Sequence, residues 1–464
     1  MTRSIKSVHI TNYYHKDSGG ISTSFNNLLA AAERHSRHIC LIVPGKTESV
    51  EDVNAFARIY YVPAKQSPVF DKRYRIMMPW QYMMKDSIIR RILLDERPDM
   101  IEVTDKYTLS IIGAMVRTNN FKKLGRPMLV HFSCERMDDN VGSFLTRGRV
   151  GKWVSRRMIG NYMIPSFDFH IANSKYTAKE FFDSVSRHKE PGRSKRFFDI
   201  CWRLLKAPRV PLEERIFVCP RGVDSAHFSP DRLSENIERE LKTLAGGDDD
   251  SVILLYAGRI SPEKNVGLLV DIMRSLEKDE RDYRLLIAGD GPQRDRLARQ
   301  FETVALGKVV FLGHLDKEKL ADYYANADIF VHPNPREPFG IAPLEAMASG
   351  IPTVAPNAGG ILSYATNENA WLVEATGEAF ANAVREIVTD DDSRVSKTAK
   401  ALETARQNTR EVSTDRLLET YDRIFADFNE RNGLYTDVEK PKSFDYWELI
   451  KVGLVLMCLF ILDL

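Results

Sequence analysis

Apolar runs that read as strands alternate with amphipathic, helix-like stretches, and the alternation occurs twice along the chain. In the first half the runs are SVHIT (7–11), HICLIVP (38–44), ARIYYV (57–62), DMIEV (99–103), PMLVHF (127–132) and DFHIAN (168–173). Short, nearly continuous apolar runs separated by helical patterns are what a parallel sheet covered on both faces requires. A polar, acidic stretch at 226–250, ending in GGDDD, interrupts the pattern. It then restarts with SVILLYAG (251–258), YRLLIAG (283–289), KVVFLG (308–313), ADIFVHP (327–333) and IPTVAP (351–356). The expectation is an α/β chain of two doubly wound domains, residues 1–225 and 251–430. Residues 226–250 read as a linker, the helical 411–430 as the end of the second domain or a return to the first, and 431–464 as a polar linker with an apolar tail. Ligands of such sheets bind beyond the carboxyl ends of the strands, so the chemistry is sought there.

The net charge of +2 argues against a bulk polyelectrolyte partner, and no nucleic-acid module accompanies the local basic clusters. The five cysteines are scattered, without CxxC or Cys/His spacing, which points to a reducing compartment and no structural metal. The acidic triplets Asp248–Asp250 and Asp390–Asp392 fall away from strand carboxyl ends and read as solvated runs. MTRSIKSVHITNYY does not read as a signal peptide. Residues 452–462, VGLVLMCLFIL, are apolar but too short for a helical span, which takes about 20 residues.

Two glutamates, Glu337 and Glu345, stand eight positions apart in REPFGIAPLEAMASGIPTVAPNAGG (336–360). Pro343 suits a first helical position and Gly350 a C-terminal cap, which puts Glu345 in the first turn and Glu337 in the loop before it. The backbone N–H groups of Phe339, Gly340 and Ile341 would line the same spot. Carboxylates that accept hydroxyls, beside amides that accept phosphate, describe a sugar-nucleotide site. Helix capping alone also favours an acid at such a helix start. The loop GRISPEKN adds Arg259 and Lys264 beyond a strand. Fixed cations there stabilise charge on a departing diphosphate without a divalent metal, whereas the plainer alternative is two solvated surface cations.

The Glu337/Glu345 pattern resembles the E-x7-E signature of retaining glycosyltransferases of family 4, which have the GT-B fold, two Rossmann-like domains facing across a cleft. The resemblance implies that Glu337 contacts the transferred sugar, that Glu345 holds the ribose, and that Arg259 and Lys264 neutralise the diphosphate. It also implies donor contacts at Gly19 and Gly20 of HKDSGG and a sugar contact from His131, at the end of PMLVHF. Glu135, Asp138 and Asp139 are acceptor-hydroxyl partners or plain loop charges. AGDGPQRDRL (288–297) resembles the family's Gly-x-Gly-Pro turn, and LGHLDKEKLADYYANADIFVHPN (312–334) its nucleobase border, where backbone groups near His314, Leu315 or Asp316 would read the base. Arg221 in PRGVDSAHFSP replaces the usual Asn, a slight lean to the sulfolipid-synthase and lipid-mannosyltransferase branches.

The implied reaction transfers a sugar from a nucleotide-sugar donor to a hydroxyl of a lipid or cell-surface glycan, with retention and with neither metal nor resident cofactor. No carboxylate is obviously placed as a nucleophile under the sugar. The family's usual account is front-side attack, with the departing phosphate as base. The competing readings are a GT-B epimerase or hydrolase acting on the nucleotide sugar, and a non-catalytic, membrane-associated glycan-binding protein. Residues 147–162 hold five cations and no acid, and 187–209 eight cations and three aromatics. In the second segment Phe197, Cys201, Leu204 and Leu205 would share one helical face, with Arg203 and Lys206 off it. That pattern suits an interfacial helix on an anionic membrane surface, hence a peripheral enzyme on the cytoplasmic face, or else an ordinary solvated helix.

Overall fold

The computed structural model describes residues 4–15, 20–66, 75–121, 123–144, 149–186 and 193–436. The chain divides into two compact units, Met1–Cys219 with Thr414–Leu464, and Pro220–Ser413.

In the first unit the strands are β1 (Ser7–Ile10), β2 (Ile39–Gly45), β3 (Ser49–Asn54), β4 (Ala57–Pro63), a separate small pair β5 (Lys65–Gln66) and β6 (Arg75–Ile76), then β7 (Met100–Val103), β8 (Met128–Ser133), β9 (Phe169–Ala172) and β10 (Ile216–Val218). The main sheet has the order β10-β9-β8-β7-β1-β2-β4-β3 and is parallel except where β3 meets β4. The six runs expected in this half all appear as β1, β2, β4, β7, β8 and β9. Alternate residues of these strands feed opposite layers. Val8, Ile10, Ile101, Val103 and Leu129 enter one core, while Leu41, Val43, Met100, Val130 and Phe132 enter the other. β3, SVEDVN, is an exposed edge strand with charges on it and no apolar run to announce it.

The second unit holds β11 (Val252–Ala257), β12 (Tyr283–Ala288), β13 (Val309–Gly313), β14 (Ile329–Val331), β15 (Thr353–Pro356) and β16 (Trp371–Val373), all parallel, in the order β13-β12-β11-β14-β15-β16. Its sheet is also covered on both faces. Ile253 and Leu255 pack into one layer, Val252, Leu254 and Tyr256 into the other.

One boundary differs from the sequence expectation, and at another the structure takes one of the two alternatives left open. Residues 226–250 contain the helix Glu235–Ala245, whose Leu241 and Ala245 are buried in the same core as Ile253 and Leu255. The stretch therefore belongs to the second unit; its mostly exposed, charged face made it read as a linker. Conversely, the helix Arg410–Glu430 sends Leu418, Tyr421, Ile424 and Phe428 into the core of the first unit, and the Tyr421 hydroxyl donates to the buried Glu102.

The interfacial reading of 187–209 is corrected for its described part, from Arg193 on; residues 187–192 lie outside the described residues. In the helix Arg193–Leu204, Phe197 and Cys201 are buried and pack with Tyr162 and Leu204, and the Trp202 indole donates to the Gly160 carbonyl at 2.9 Å. The apolar face is thus occupied by the protein itself. In the helix Arg149–Met158, Arg157 stacks on Trp153, and Arg156 pairs with Asp138 and Asp183. Residues 452–462 lie outside the described residues, among which no helix is long and apolar enough to cross a membrane.

Candidate active site

β11 ends at Ala257, and the loop that follows carries Arg259 and a single tight turn, Pro262–Lys264. Asn265, at φ 54, closes that turn in the left-handed region, and its amide donates to the Pro333 carbonyl at 2.9 Å. This fastens the loop after β11 to the loop after β14, whose residues include Glu337. The Lys264 ammonium consequently reaches both carboxylate oxygens of Glu337, at 2.8 and 3.0 Å. Asn334 donates a further bond to Glu337 Oε2 at 3.0 Å, and His332 Nε2 lies 3.8 Å from the same atom.

Glu337 is 9% exposed. Burial alone would push its carboxyl up. Lys264 and His332, with the hydrogen bonds from Lys264 and Asn334, instead hold it down at about 2. It is therefore ionised throughout the neutral range and cannot act as a general acid. The loop geometry leaves no room for a side chain at Gly360. A Cβ at Gly360 would lie 2.0 Å from the Pro338 carbonyl oxygen, and the Gly360 N–H donates to the Glu337 carbonyl at 2.6 Å. Gly340, at φ 87, turns the chain into the helix Ile341–Ala348 and accepts a hydrogen bond from the Tyr364 hydroxyl.

That helix begins two residues before Pro343, so Pro343 is its third residue and Glu345 falls in the second turn rather than the first. Gly350 does close the helix. It has φ 77, with Gly350 N–H to Met347 O and Ile351 N–H to Ala346 O, a Schellman closure. Ile341 opens the helix with an N–H that lacks an intrahelical acceptor. The ring of Phe339 is buried against Tyr364, so only its backbone can serve a ligand. Glu345 is partly buried, with the Tyr324 hydroxyl 3.5 Å from Oε2. Burial pushes its carboxyl up to about 7 against the opposing pull of Arg410 and Lys317. Those two cations share Asp224, at 2.6 and 2.5 Å.

Asp316 is not brought into this group by its carboxylate. It is exposed and caps the helix Lys317–Asn326, accepting from Lys319 N at 2.8 Å. Gly20, in the first unit, has φ 62 at the start of the helix Ile21–Arg34, with open space where a side chain would stand. Gly19 lies outside the described residues.

His131, for which a sugar contact is expected, stands deeper in its strand than the sequence suggests. β8 runs on to Ser133, so His131 is two residues short of the strand end and shares the face of Leu129. Its ring is 0% exposed and is enclosed by Phe167, His170 and Phe181 at centroid distances of 5.5, 5.8 and 5.9 Å. Burial, then Lys106, drives its pKa well below the usual imidazole range. In this structure the ring lies among core side chains, and neither of its nitrogens has a hydrogen-bond partner.

What does stand at the carboxyl ends of β1, β7 and β8 is a polar cluster. Glu135, partly exposed, accepts from the Tyr13 hydroxyl at 3.1 Å and from Asn140 at 2.6 Å. Lys106 bridges the Glu135 carbonyl and the buried Glu180. Of the three acids singled out in CERMDD, Asp138 is buried on Arg136 and Asp139 holds Tyr176, which leaves Glu135 as the acid best placed for a ligand.

Sequence reasoning did not find His332 and Asn334 around Glu337, or Asp224, Lys317, Tyr324 and Arg410 around Glu345. His332 was within reach of the rule that selected His131, since it follows directly on the apolar run of β14.

The family Glycosyl transferases group 1 matches residues 239–408, which include Arg259, Lys264, Glu337 and Glu345. A GDP-mannose-dependent alpha-mannosyltransferase of Corynebacterium glutamicum is 30% identical over 419 residues, covering 88% of this chain and 86% of that protein. A GDP-mannose-dependent alpha-(1-6)-phosphatidylinositol dimannoside mannosyltransferase of Mycobacterium tuberculosis is 29% identical over 385 residues, covering 82% and 87%. Among solved structures, the sucrose-phosphate synthase of Thermosynechococcus elongatus, 18% identical, superposes with a TM-score of 0.67 over 91% of this chain and 100% of that one. The chain belongs to the group 1 glycosyltransferases and is a glycosyltransferase of the GT-B fold.

Proposed function

We propose that this enzyme transfers mannose from GDP-mannose to a hydroxyl of a lipid-linked acceptor, with retention of anomeric configuration and without a metal. The observation that carries the donor chemistry is the buried Glu337, kept ionised beside Lys264 at the carboxyl ends of β11 and β14. Mannose, guanosine and a lipid acceptor are supported by the named activities of the relatives, two of which use GDP-mannose and one of which acts on a phosphatidylinositol mannoside.

In this reading Lys264 and Arg259 face the diphosphate. As the glycosidic bond breaks, negative charge gathers on the phosphate oxygen, and preorganised cations lower the barrier. Glu337 accepts hydrogen bonds from the sugar hydroxyls, and its fixed negative charge favours the positive character of an oxocarbenium-like transition state. The acceptor hydroxyl attacks from the face that the diphosphate leaves, and the departing phosphate takes its proton. Glu345 accepts from the ribose hydroxyls, and Glu135 with Tyr13 is assigned to acceptor hydroxyls.

Glu345 gives this assignment a pH signature. Its ionised form is the better acceptor for ribose hydroxyls, and its pKa is about 7. Affinity for GDP is expected to fall as pH is lowered through that value. Glu345→Gln should bind more weakly at neutral pH and remove that component of the dependence. Calorimetric titration with GDP on either side of the transition checks this, and an identical pH profile in the variant would exclude the ribose role.

Attachment to an anionic membrane surface, on the cytoplasmic face, belongs to the same proposal and is supported by the lipid acceptor of the relative and by the exposed Val150 within the cation-rich 147–162. The direct experiment incubates the full chain with GDP-, UDP- and ADP-sugars and phosphatidylinositol mannoside in anionic vesicles. Mannosyl transfer from GDP-mannose, with the enzyme floating with the vesicles, is the expected result. Sugar-nucleotide turnover independent of acceptor would favour a hydrolase or epimerase instead.

A further inference from the structure

We infer that His332 is a positioning residue that takes over the Glu337 carboxylate when Lys264 turns to the diphosphate of the donor. The inference rests on the assignment of Lys264 to that diphosphate. His332 directly follows β14 and is 5% exposed, and neither of its ring nitrogens has a hydrogen-bond partner. Buried polar groups are nearly always paired, and leaving one unpaired carries a desolvation cost. An unpartnered imidazole 3.8 Å from a carboxylate oxygen is therefore a group with somewhere to go.

The partners of Glu337 define the need. Oε1 accepts from Lys264 alone among these groups, and Oε2 from Lys264 and Asn334. The Asn334 carbonyl oxygen is already engaged by the Arg336 N–H, which fixes the orientation of its amide. If the three ammonium protons of Lys264 are redirected to phosphoryl oxygens, Glu337 loses the cation that chiefly holds it ionised, and of the protein hydrogen bonds named above only that from Asn334 remains to orient it beside the sugar hydroxyls. A buried carboxylate so deprived is unstable and free to tilt. Closing the gap from His332 Nε2 to ordinary hydrogen-bond length, about 2.9 Å, takes a shift of roughly 1 Å and supplies an N–H to Oε2.

The charged groups acting on the ring are Glu337 and Lys264. Burial pushes its pKa down to about 4, so the ring is neutral, and the exchange uses the tautomer that carries the proton on Nε2. No proton need be taken up for the exchange. Glu337 then meets the sugar in the same orientation before and after Lys264 has moved, which is what reaction geometry demands.

The test compares His332→Leu, which fills the space without a donor, with His332→Gln, which carries an amide N–H of similar reach. The expected result is kcat roughly 10- to 100-fold lower in the Leu variant at unchanged KM for GDP-mannose, with most activity restored in the Gln variant. In the native enzyme, ring-nitrogen NMR should show a new hydrogen-bonded N–H on addition of GDP. Equal kcat in all three proteins, equal loss in both variants, or an unchanged ring signal would overturn the exchange. GDP titration of Lys264→Ala separates the two ideas. Undiminished GDP affinity there refutes the diphosphate assignment itself. Weakened affinity together with a fully active Leu variant refutes only the role of His332.

Discussion

Replacement of Glu337 by Ala is expected to lower kcat by roughly 100- to 1,000-fold while changing the KM for donor far less. The carboxylate is ionised and buried, and it is oriented by Lys264 and Asn334. Such a fixed charge contributes most where positive character develops on the sugar, which is in the transition state and not in the bound donor. Glu337→Gln tests charge against shape. It keeps the hydrogen-bonding outline but presents a neutral amide to Lys264, and it should be nearly as defective. Because Lys264 is itself partly solvent-exposed, losing its partner does not strand a buried cation, and both variants should fold. Steady-state kinetics with GDP-mannose, alongside thermal melting, checks this. A variant whose defect lay wholly in KM would mean that the roles of Glu337 and Glu345 are exchanged.

Lys264→Ala and Arg259→Ala are each expected to reduce kcat/KM by roughly 100- to 1,000-fold, the usual effect of removing a preorganised group from a developing charge. Here the ground state should suffer too, since the diphosphate is fully charged before the bond breaks; weaker inhibition by GDP is expected in both variants. If both cations serve one leaving group, as proposed, the double variant should lose less than the product of the two single effects. Inhibition constants for GDP across the three proteins decide the matter. Unaltered inhibition in all of them would remove Arg259 and Lys264 from the diphosphate.

Much of the scaffold could be read from the chain because parallel strands buried on both faces must be apolar throughout. β1, β2, β7, β8 and β11 are of that kind, and each appears where its run predicts. β3, β10 and β16 escaped notice because they are short or lie at a sheet edge and carry residues that are not fully buried. The helix Glu235–Ala245 escaped for the related reason that a few buried contacts, chiefly Leu241 and Ala245, suffice to hold it.

At the site, spacing and strand-end position singled out Glu337 and Lys264, which the structure pairs, and the glycine turn at Gly340 that starts the following helix. Which way a histidine faces is not marked in that way. His131 and His332 both accompany apolar strands, yet one lies inside β8 on the face of Leu129 and the other stands just past β14, beside Glu337. Two residues of strand length separate a ring enclosed by aromatic side chains from one beside Glu337, and the apolar pattern does not resolve that difference. The start of the helix Ile341–Ala348 was displaced likewise, because Gly340 at φ 87, rather than Pro343, sets it.

The central claim is that Glu337 is a fixed anion beside a departing diphosphate and that transfer proceeds on one face of the sugar. The most direct measurement is the anomeric configuration of the first product formed from GDP-α-mannose, read from the one-bond carbon–hydrogen coupling at the anomeric centre before any re-equilibration. An α-linked mannoside, with no glycosyl–Glu337 adduct trapped during turnover, is the predicted result. A β-linked product, or a covalent Glu337 adduct, would contradict the account.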